Sequence, residues 1–186
     1  MQEITKNIFI EDQFLGVTLG VIVTKRGLIH IDAPPSPEDA RTWRAALMNL
    51  GGGMHWDDTP IPLEHRPGPS SGSIWVHLPE EKVLFIGDTV MKNQPPFLAG
   101  SNLKAWLESL NELLDANYRG YTFISSRGGT VTASAIKAQH EFLKTVNGKL
   151  DKITTKKPKP ATIEKLVATI LKSFKAPAAR QKQFAQ

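Results

Sequence analysis

The chain has 186 residues, 40% of them hydrophobic and 22% charged, which suits one domain with a sizeable core plus an appendage and excludes a disordered or fibrous protein. No cysteine is present, so disulfides, thiolate zinc sites, iron–sulfur clusters and cysteine nucleophiles are excluded, and any metal must be held by His, Asp or Glu. The net charge of +5 is uneven: residues 1–148 hold 13 Lys and Arg against 16 Asp and Glu, whereas residues 149–186 hold 10 against 2, so a mildly acidic body carries a basic extension.

In chain order, the alternation over Ile4 to Ile10 predicts a first strand, Val17 to Val23 a second and Gly27 to Ile31 a third, together a meander closed by Asp32-Ala33-Pro34-Pro35. Ser36, with Pro37 at the first helical position and Glu38 and Asp39 in the first turn, starts a helix that buries Trp43, Ala46, Leu47 and Leu50 and ends at Gly51-Gly52-Gly53. Extended structure resumes over Ile61 to Glu64. Ser73 to Leu78 and Lys82 to Ile86 then pair across Pro79-Glu80-Glu81, and both runs are apolar enough to be covered on two faces. Leu103, Trp106, Leu107, Leu110, Leu113 and Leu114 share one face of a helix. A short strand follows at Tyr121 to Ile124, and Thr132 caps a helix carrying Ile136, Phe142, Leu143 and Val146. After the Lys/Pro-rich TTKKPKP a last helix covers Ile163 to Phe174. This order predicts an α/β layered sandwich over residues 1–148, with a basic linker and helix over 149–186.

Four segments in fixed order resemble the metallo-β-lactamase-fold hydrolases: VTLGVIVTKRGLIHIDAPPSPEDA, PGPSSGSIWVHLPEEKVLFIGD, QPPFLAGSNLKAWLESL and SSRGGTVTASAI. They are similar to that family's entry hairpin and first helix, its PGHTPGS turn with the Gly-Asp strand end, the helix that follows, and its late GHG turn. The resemblance implies an αββα sandwich, here incomplete, with a C-terminal helical extension. It also implies one or two zinc or iron ions that generate hydroxide at neutral pH, each needing about three protein ligands and an open position. The family draws these from an HxHxDH run, a His in the PGHTPGS turn, an Asp at the Gly-Asp strand end and a His in the GHG turn.

Carried onto this chain, that ligand set is depleted. The sequence contains no HxHxDH run, and the block of elements expected between Gly53 and Met54 is missing. Pro69 stands at the turn histidine and has no donor atom. Arg127 stands at the late histidine, and a permanent cation repels zinc. Only Asp88 matches a ligand, and its ordinary reading is a strand-end carboxylate accepting backbone hydrogen bonds. Arg127 beside Asp88 suggests an ion pair in the vacated metal position.

The histidines are His30, His55, His65, His77 and His140. An atypical site from His55, Asp57, Asp58, His65 and Asp88 is the alternative, but a polar loop is favoured because that spacing has no recognised ligand geometry. Histidines 30, 77 and 140 suit ordinary strand and helix positions. Ser70-Ser71-Gly72-Ser73 lacks a nucleophile elbow, and Gly51-Gly52-Gly53 follows a helix instead of opening one. Arg127, Gly128 and Gly129, ahead of the helix start at Thr130 and Thr132, form the best small-anion candidate.

The expectation is therefore a family member with a degenerate metal site, catalytically inactive and serving in binding or regulation or persisting as a remnant. No cofactor is expected; zinc or iron enters only under the alternative of a metal-dependent hydrolase with atypical ligands. A nucleic-acid-associated module using the basic tail is a further alternative, disfavoured because only Phe174 and Phe184 accompany its charges. Without a basic start followed by an apolar run, and without a spanning segment, a cytoplasmic protein with no membrane partner is expected. Sheet edges bared by the missing block suggest a homo-oligomer.

Overall fold

The structure, a computed structural model, describes residues 1–25, 27–50, 61–92, 94–154 and 160–172. The chain divides into two units, the first comprising Met1–His65, Ile74–Asp88 and Gly120–Val131.

The first unit opens with a four-stranded antiparallel meander: β1 (Gln2–Thr5), β2 (Ile8–Glu11), β3 (Leu19–Thr24) and β4 (Gly27–Ile31). The single strand expected over Ile4 to Ile10 is instead a hairpin. Asn7 turns the chain with φ at 67°, a left-handed conformation that its short polar side chain tolerates better than most residues do. Alternation along β3 then divides its side chains between two layers. Leu19 and Val21 pack with Phe14, Leu28, Trp43 and Leu47, the last two from α1 (Pro37–Met48). On the other face Ile22 joins Ile8, Ile10, Leu78, Val83, Phe85 and Ile124 in the core between the sheets. Burial of each such side chain contributes about 1.5–3 kcal/mol. The helix α1 starts as expected, with Ser36 Oγ accepting from the Asp39 amide at 3.1 Å. It ends at Asn49, and Gly51-Gly52-Gly53 and the Gly53–Met54 junction lie outside the described residues.

The second sheet has the order β5 (Leu63–His65), β6 (Ile74–Leu78), β7 (Val83–Met91), β8 (Thr122–Arg127) and β9 (Gly129–Val131). Strands β6 and β7 pair Val76 with Phe85 and Leu78 with Val83, across the expected turn. Two expectations need correction. Strand β7 does not end at the Gly-Asp pair: Gly87 takes φ at 53°, a bend glycine accepts without a Cβ penalty, and the strand continues to Met91. Strand β9 was not expected at all. Gly128 and Gly129, with φ at 139° and 63°, form the corner of the β8–β9 hairpin, so they do not lead directly into a helix.

The second unit comprises Arg66–Ser73, Thr89–Arg119 and Thr132–Gln186. Its α2 (Leu103–Glu112) is capped by Asn102, whose side chain accepts from the Ala105 amide at 3.2 Å. Trp106 and Leu110 on this helix are fully buried. Thr132 caps α3 (Ala133–Thr154) through the Ala135 amide at 3.3 Å, and this helix continues past Gly148. The last described helix is α4 (Pro160–Lys172). A buried relay ties the unit together: the Thr89 carbonyl accepts from Trp106 Nε1 at 2.8 Å and Gln139 Nε2 at 2.6 Å, and Gln139 Oε1 accepts from the Met91 amide at 2.7 Å. Among the described residues no helix is long and apolar enough to cross a membrane.

Candidate functional site

Within the first unit, Asp88 on β7 and Arg127 at the end of β8 meet as the sequence suggests. Arg127 Nε donates to Asp88 Oδ2 at 3.1 Å, and Arg127 Nη1 donates to the Gly16 carbonyl at 2.7 Å. The surrounding segments are tied to the same place. Ser126 Oγ donates to Asp32 Oδ2, and Asp32 itself sits at φ 64°, a strained conformation that surrounding contacts must hold. The Gly129 amide donates to Thr18 Oγ1 at 2.9 Å, and the Arg127 amide to Ser125 Oγ at 3.0 Å. The end of β4, the loop before β3, β7 and the β8–β9 hairpin are thereby cross-linked around one guanidinium.

The Asp88 carboxyl titrates above its ordinary range. Burial is the main cause; Arg127 opposes the shift by charge and hydrogen bond, and the nearby negative charge of Asp32 adds to it. The backbone hydrogen bonds expected for Asp88 are not the ones it makes: Oδ2 takes the guanidinium, and the buried Oδ1 has no hydrogen-bond partner.

Two of the groups expected to receive a small anion are already engaged. Arg127 is turned to Asp88 and Gly16, and the Gly129 amide serves Thr18. A Cβ placed on Gly129 would lie 3.3 Å from Asp12 Oδ2, so another carboxylate borders the hairpin corner. Asp88 therefore acts as a built-in anion for Arg127.

In the second unit the PGPSSGS turn is closed by the Arg66 amide on the Ser73 carbonyl at 3.0 Å and the Gly68 amide on the Ser70 carbonyl at 3.1 Å. Ser109 Oγ anchors it by donating to the Pro67 carbonyl at 2.7 Å. A turn of this shape presents residue 69 as a ring with no lone pair to offer.

Of the remaining candidates, His55, Asp57 and Asp58 lie outside the described residues. His65 is an exposed residue ending β5. His30 is exposed on β4 with its ring 6.4 Å from Trp43, edge-on, and partial burial lowers its pKa. One cluster is not foreshadowed by any sequence motif: His77 Nδ1 lies 2.7 Å from Glu64 Oε1, and His77 Nε2 lies 3.1 Å from the Tyr121 hydroxyl. A carboxylate oxygen accepts, so His77 Nδ1 is the donor toward Glu64, while Nε2 faces the tyrosine hydroxyl. Only the strand register, which sets Glu64 opposite Trp75 and so diagonal to His77, reveals the contact.

Among the described residues the donor set does not fit a catalytic zinc or iron: no group of three His, Asp or Glu side chains there converges as a metal site. Asp88, the carboxylate that the sequence resemblance suggests as a ligand, is paired with Arg127 of the same chain.

A family model described as the metallo-beta-lactamase superfamily matches residues 21–119, more than half of the chain. No curated protein matches it. Among solved structures, the DIM-1 metallo-beta-lactamase is similar with a TM-score of 0.63 at 16% identity, over 78% of this chain and 96% of that one. A metallo-beta-lactamase from Erythrobacter litoralis gives 0.57 at 14% identity, over 77% and 91%. One from Pontibacter korlensis gives 0.52 at 16%, over 77% and 97%. At these identities the likeness is one of fold.

Proposed function

The chain belongs to the metallo-beta-lactamase superfamily, and we propose that it is a non-hydrolytic member in which the Asp88–Arg127 ion pair stands where the family holds its metal, leaving a binding or regulatory role. The observation that carries this reading is the 3.1 Å hydrogen bond from Arg127 Nε to Asp88 Oδ2. A metal at Asp88 would have to approach a guanidinium of like charge, which costs several kcal/mol in a partly desolvated site. Pro69 at the turn and the lack of an HxHxDH run in the sequence support the same reading. Arg127, Gly128 and Gly129 remain the proposed small-ligand site, with the condition that an incoming anion displaces Asp88 from Arg127.

Zinc titration of the full chain, followed by calorimetry, tests this proposal. The expected result is no saturable site in the micromolar range, unchanged by Asp88→Ala. A site that saturates and is lost in Asp88→Ala overturns it.

One observation favours a second reading, a metal-dependent hydrolase with atypical ligands: Asp88 Oδ1 is buried without a partner, and a cation held jointly with His55, Asp57, Asp58 and His65 would satisfy it. The same titration distinguishes the two.

The proposed homo-oligomer rests on Leu63 and Ile74, 64% and 51% exposed, at the β5 side of the second sheet. Sedimentation velocity showing one monomeric species at high concentration would remove it.

A further inference from the structure

The helix α4, thirteen residues from Pro160 to Lys172, places Ile163, Leu166, Val167 and Ile170 at the spacing of one helical face. No residue from Pro160 to Ile170 is buried, and Ile163 and Val167 are 47% and 48% exposed. The aliphatic stripe is thus partly exposed, most at Ile163 and Val167. It sits within the most basic part of the chain: residues 149–186 carry nine Lys and one Arg against Asp151 and Glu164. In the sequence, Lys156, Lys157 and Lys159 come before Pro160, Lys172 is the last residue of α4 and Lys175 comes after it.

We propose that α4 is an interfacial helix that docks on an anionic lipid surface, its aliphatic face in the acyl boundary and its lysines among the headgroups. Four occupants compete for such a face, and charge and composition separate them. A second copy of α4 would bring one strongly basic segment against another, so like charges oppose self-association. Nucleic acid would be met by the lysines but has no use for an aliphatic stripe, and the described part of the helix offers no aromatic ring for a base to stack on. A groove on an acidic protein is typically filled by aromatic or arginine anchors; here the stripe is Ile, Leu and Val, and nine of the ten cations are Lys. Lysine is a hydrated point charge suited to a diffuse anionic surface, whereas arginine suits paired recognition of individual carboxylates. The basic, aliphatic pattern matches a helix lying in the membrane interface. At 1.5 Å per residue α4 is about 20 Å long, well short of the roughly 30 Å hydrocarbon core, so it would lie along the surface and not cross it. Binding to lipid is independent of the metal-site reading and replaces the expectation of no membrane partner, which rested on the lack of a spanning segment and not on surface docking.

The test is co-sedimentation of the full chain with vesicles of phosphatidylcholine alone and of phosphatidylcholine with phosphatidylserine. The expected result is binding to the mixed vesicles at least about tenfold tighter than to the neutral ones, lost when salt rises from 0.1 M to 0.5 M, on the order expected for several lysines near an anionic leaflet. Ile163→Asp and Val167→Asp should each weaken binding by about tenfold, the order expected from removing an aliphatic contact with the acyl region. The triple variant Lys156→Glu, Lys157→Glu, Lys159→Glu supplies a second test that leaves the helix face intact and should abolish binding. Thermal melts matching wild type identify variants that remain folded. Equal binding to both vesicle types, or none, overturns the proposal. So does retention on RNA that survives Val167→Asp, or a dimer that Val167→Asp dissolves.

Discussion

Replacing Arg127 by methionine removes two hydrogen bonds, to Asp88 Oδ2 and to the Gly16 carbonyl, and keeps most of the aliphatic stem. In a fully buried pair, loss of one partner costs about 3–5 kcal/mol because the other charge is stranded; an exposed pair is worth about 0.2–1 kcal/mol. The side chains of Arg127 and Asp88 are 32% and 29% exposed, so solvent screens part of the interaction and the expected loss is about 1–2 kcal/mol. For a chain of this size that corresponds to a melting temperature lower by about 3–6 °C. Urea denaturation of wild type, Arg127→Met, Asp88→Asn and the double variant measures the term as a double-mutant cycle. The cycle should return a coupling of about 1 kcal/mol, and Arg127→Lys should recover part of the loss. A midpoint for Arg127→Met equal to wild type, or the same destabilisation in the Asp88→Asn background, would refute the idea that this pair holds the site together.

The raised pKa of Asp88 gives a pH prediction with a definite sign. The unfolded carboxyl releases its proton near the ordinary 3.8, the folded one only at higher pH, so the folded state binds more protons between those values and stability falls as pH rises through that window. Asp88→Asn should lack this component, visible as a flatter dependence of the urea midpoint on pH; profiles parallel to wild type would contradict it. Gln139→Leu strands the buried Met91 amide and removes one donor from the Thr89 carbonyl, for an expected loss of about 2–3 kcal/mol in chemical denaturation. A loss below about 0.5 kcal/mol, the range of neutral surface changes, would show the relay to be redundant. Gly129→Ala meets both a left-handed φ of 63° and Asp12 Oδ2 at 3.3 Å, whereas Gly100→Ala, at φ 76°, meets nothing within 4 Å. The first should cost about 1–2 kcal/mol and more than the second; equal melting temperatures would deny the crowding.

Much of the fold was legible because it rests on local chemistry. Ser36 and Pro37 announce α1, Thr132 announces α3, and the paired apolar runs around Pro79 announce the β6–β7 hairpin, each through side chains a few residues apart. The misreadings fall where backbone conformation overrides pattern. Asn7 interrupts an alternating run with a turn, and Gly87 bends β7 without ending it, and neither leaves a mark in the periodicity. At the site, Asp88 and Arg127 were legible as a pair through the family resemblance, but their supports were not. Ser126 reaches Asp32 across 94 residues and Thr18 reaches Gly129 across 111, and such contacts follow from strand register and loop path, which a sequence pattern does not encode. The Glu64–His77–Tyr121 cluster was missed for the same reason.

The absence of a resident metal is the claim on which the non-hydrolytic reading turns. Elemental analysis of the full chain, produced in zinc- and iron-supplemented medium and purified without chelator, addresses it directly. The account predicts zinc and iron well below one ion per chain, unchanged in Asp88→Ala. One tightly held ion per chain, lost in Asp88→Ala, would contradict it.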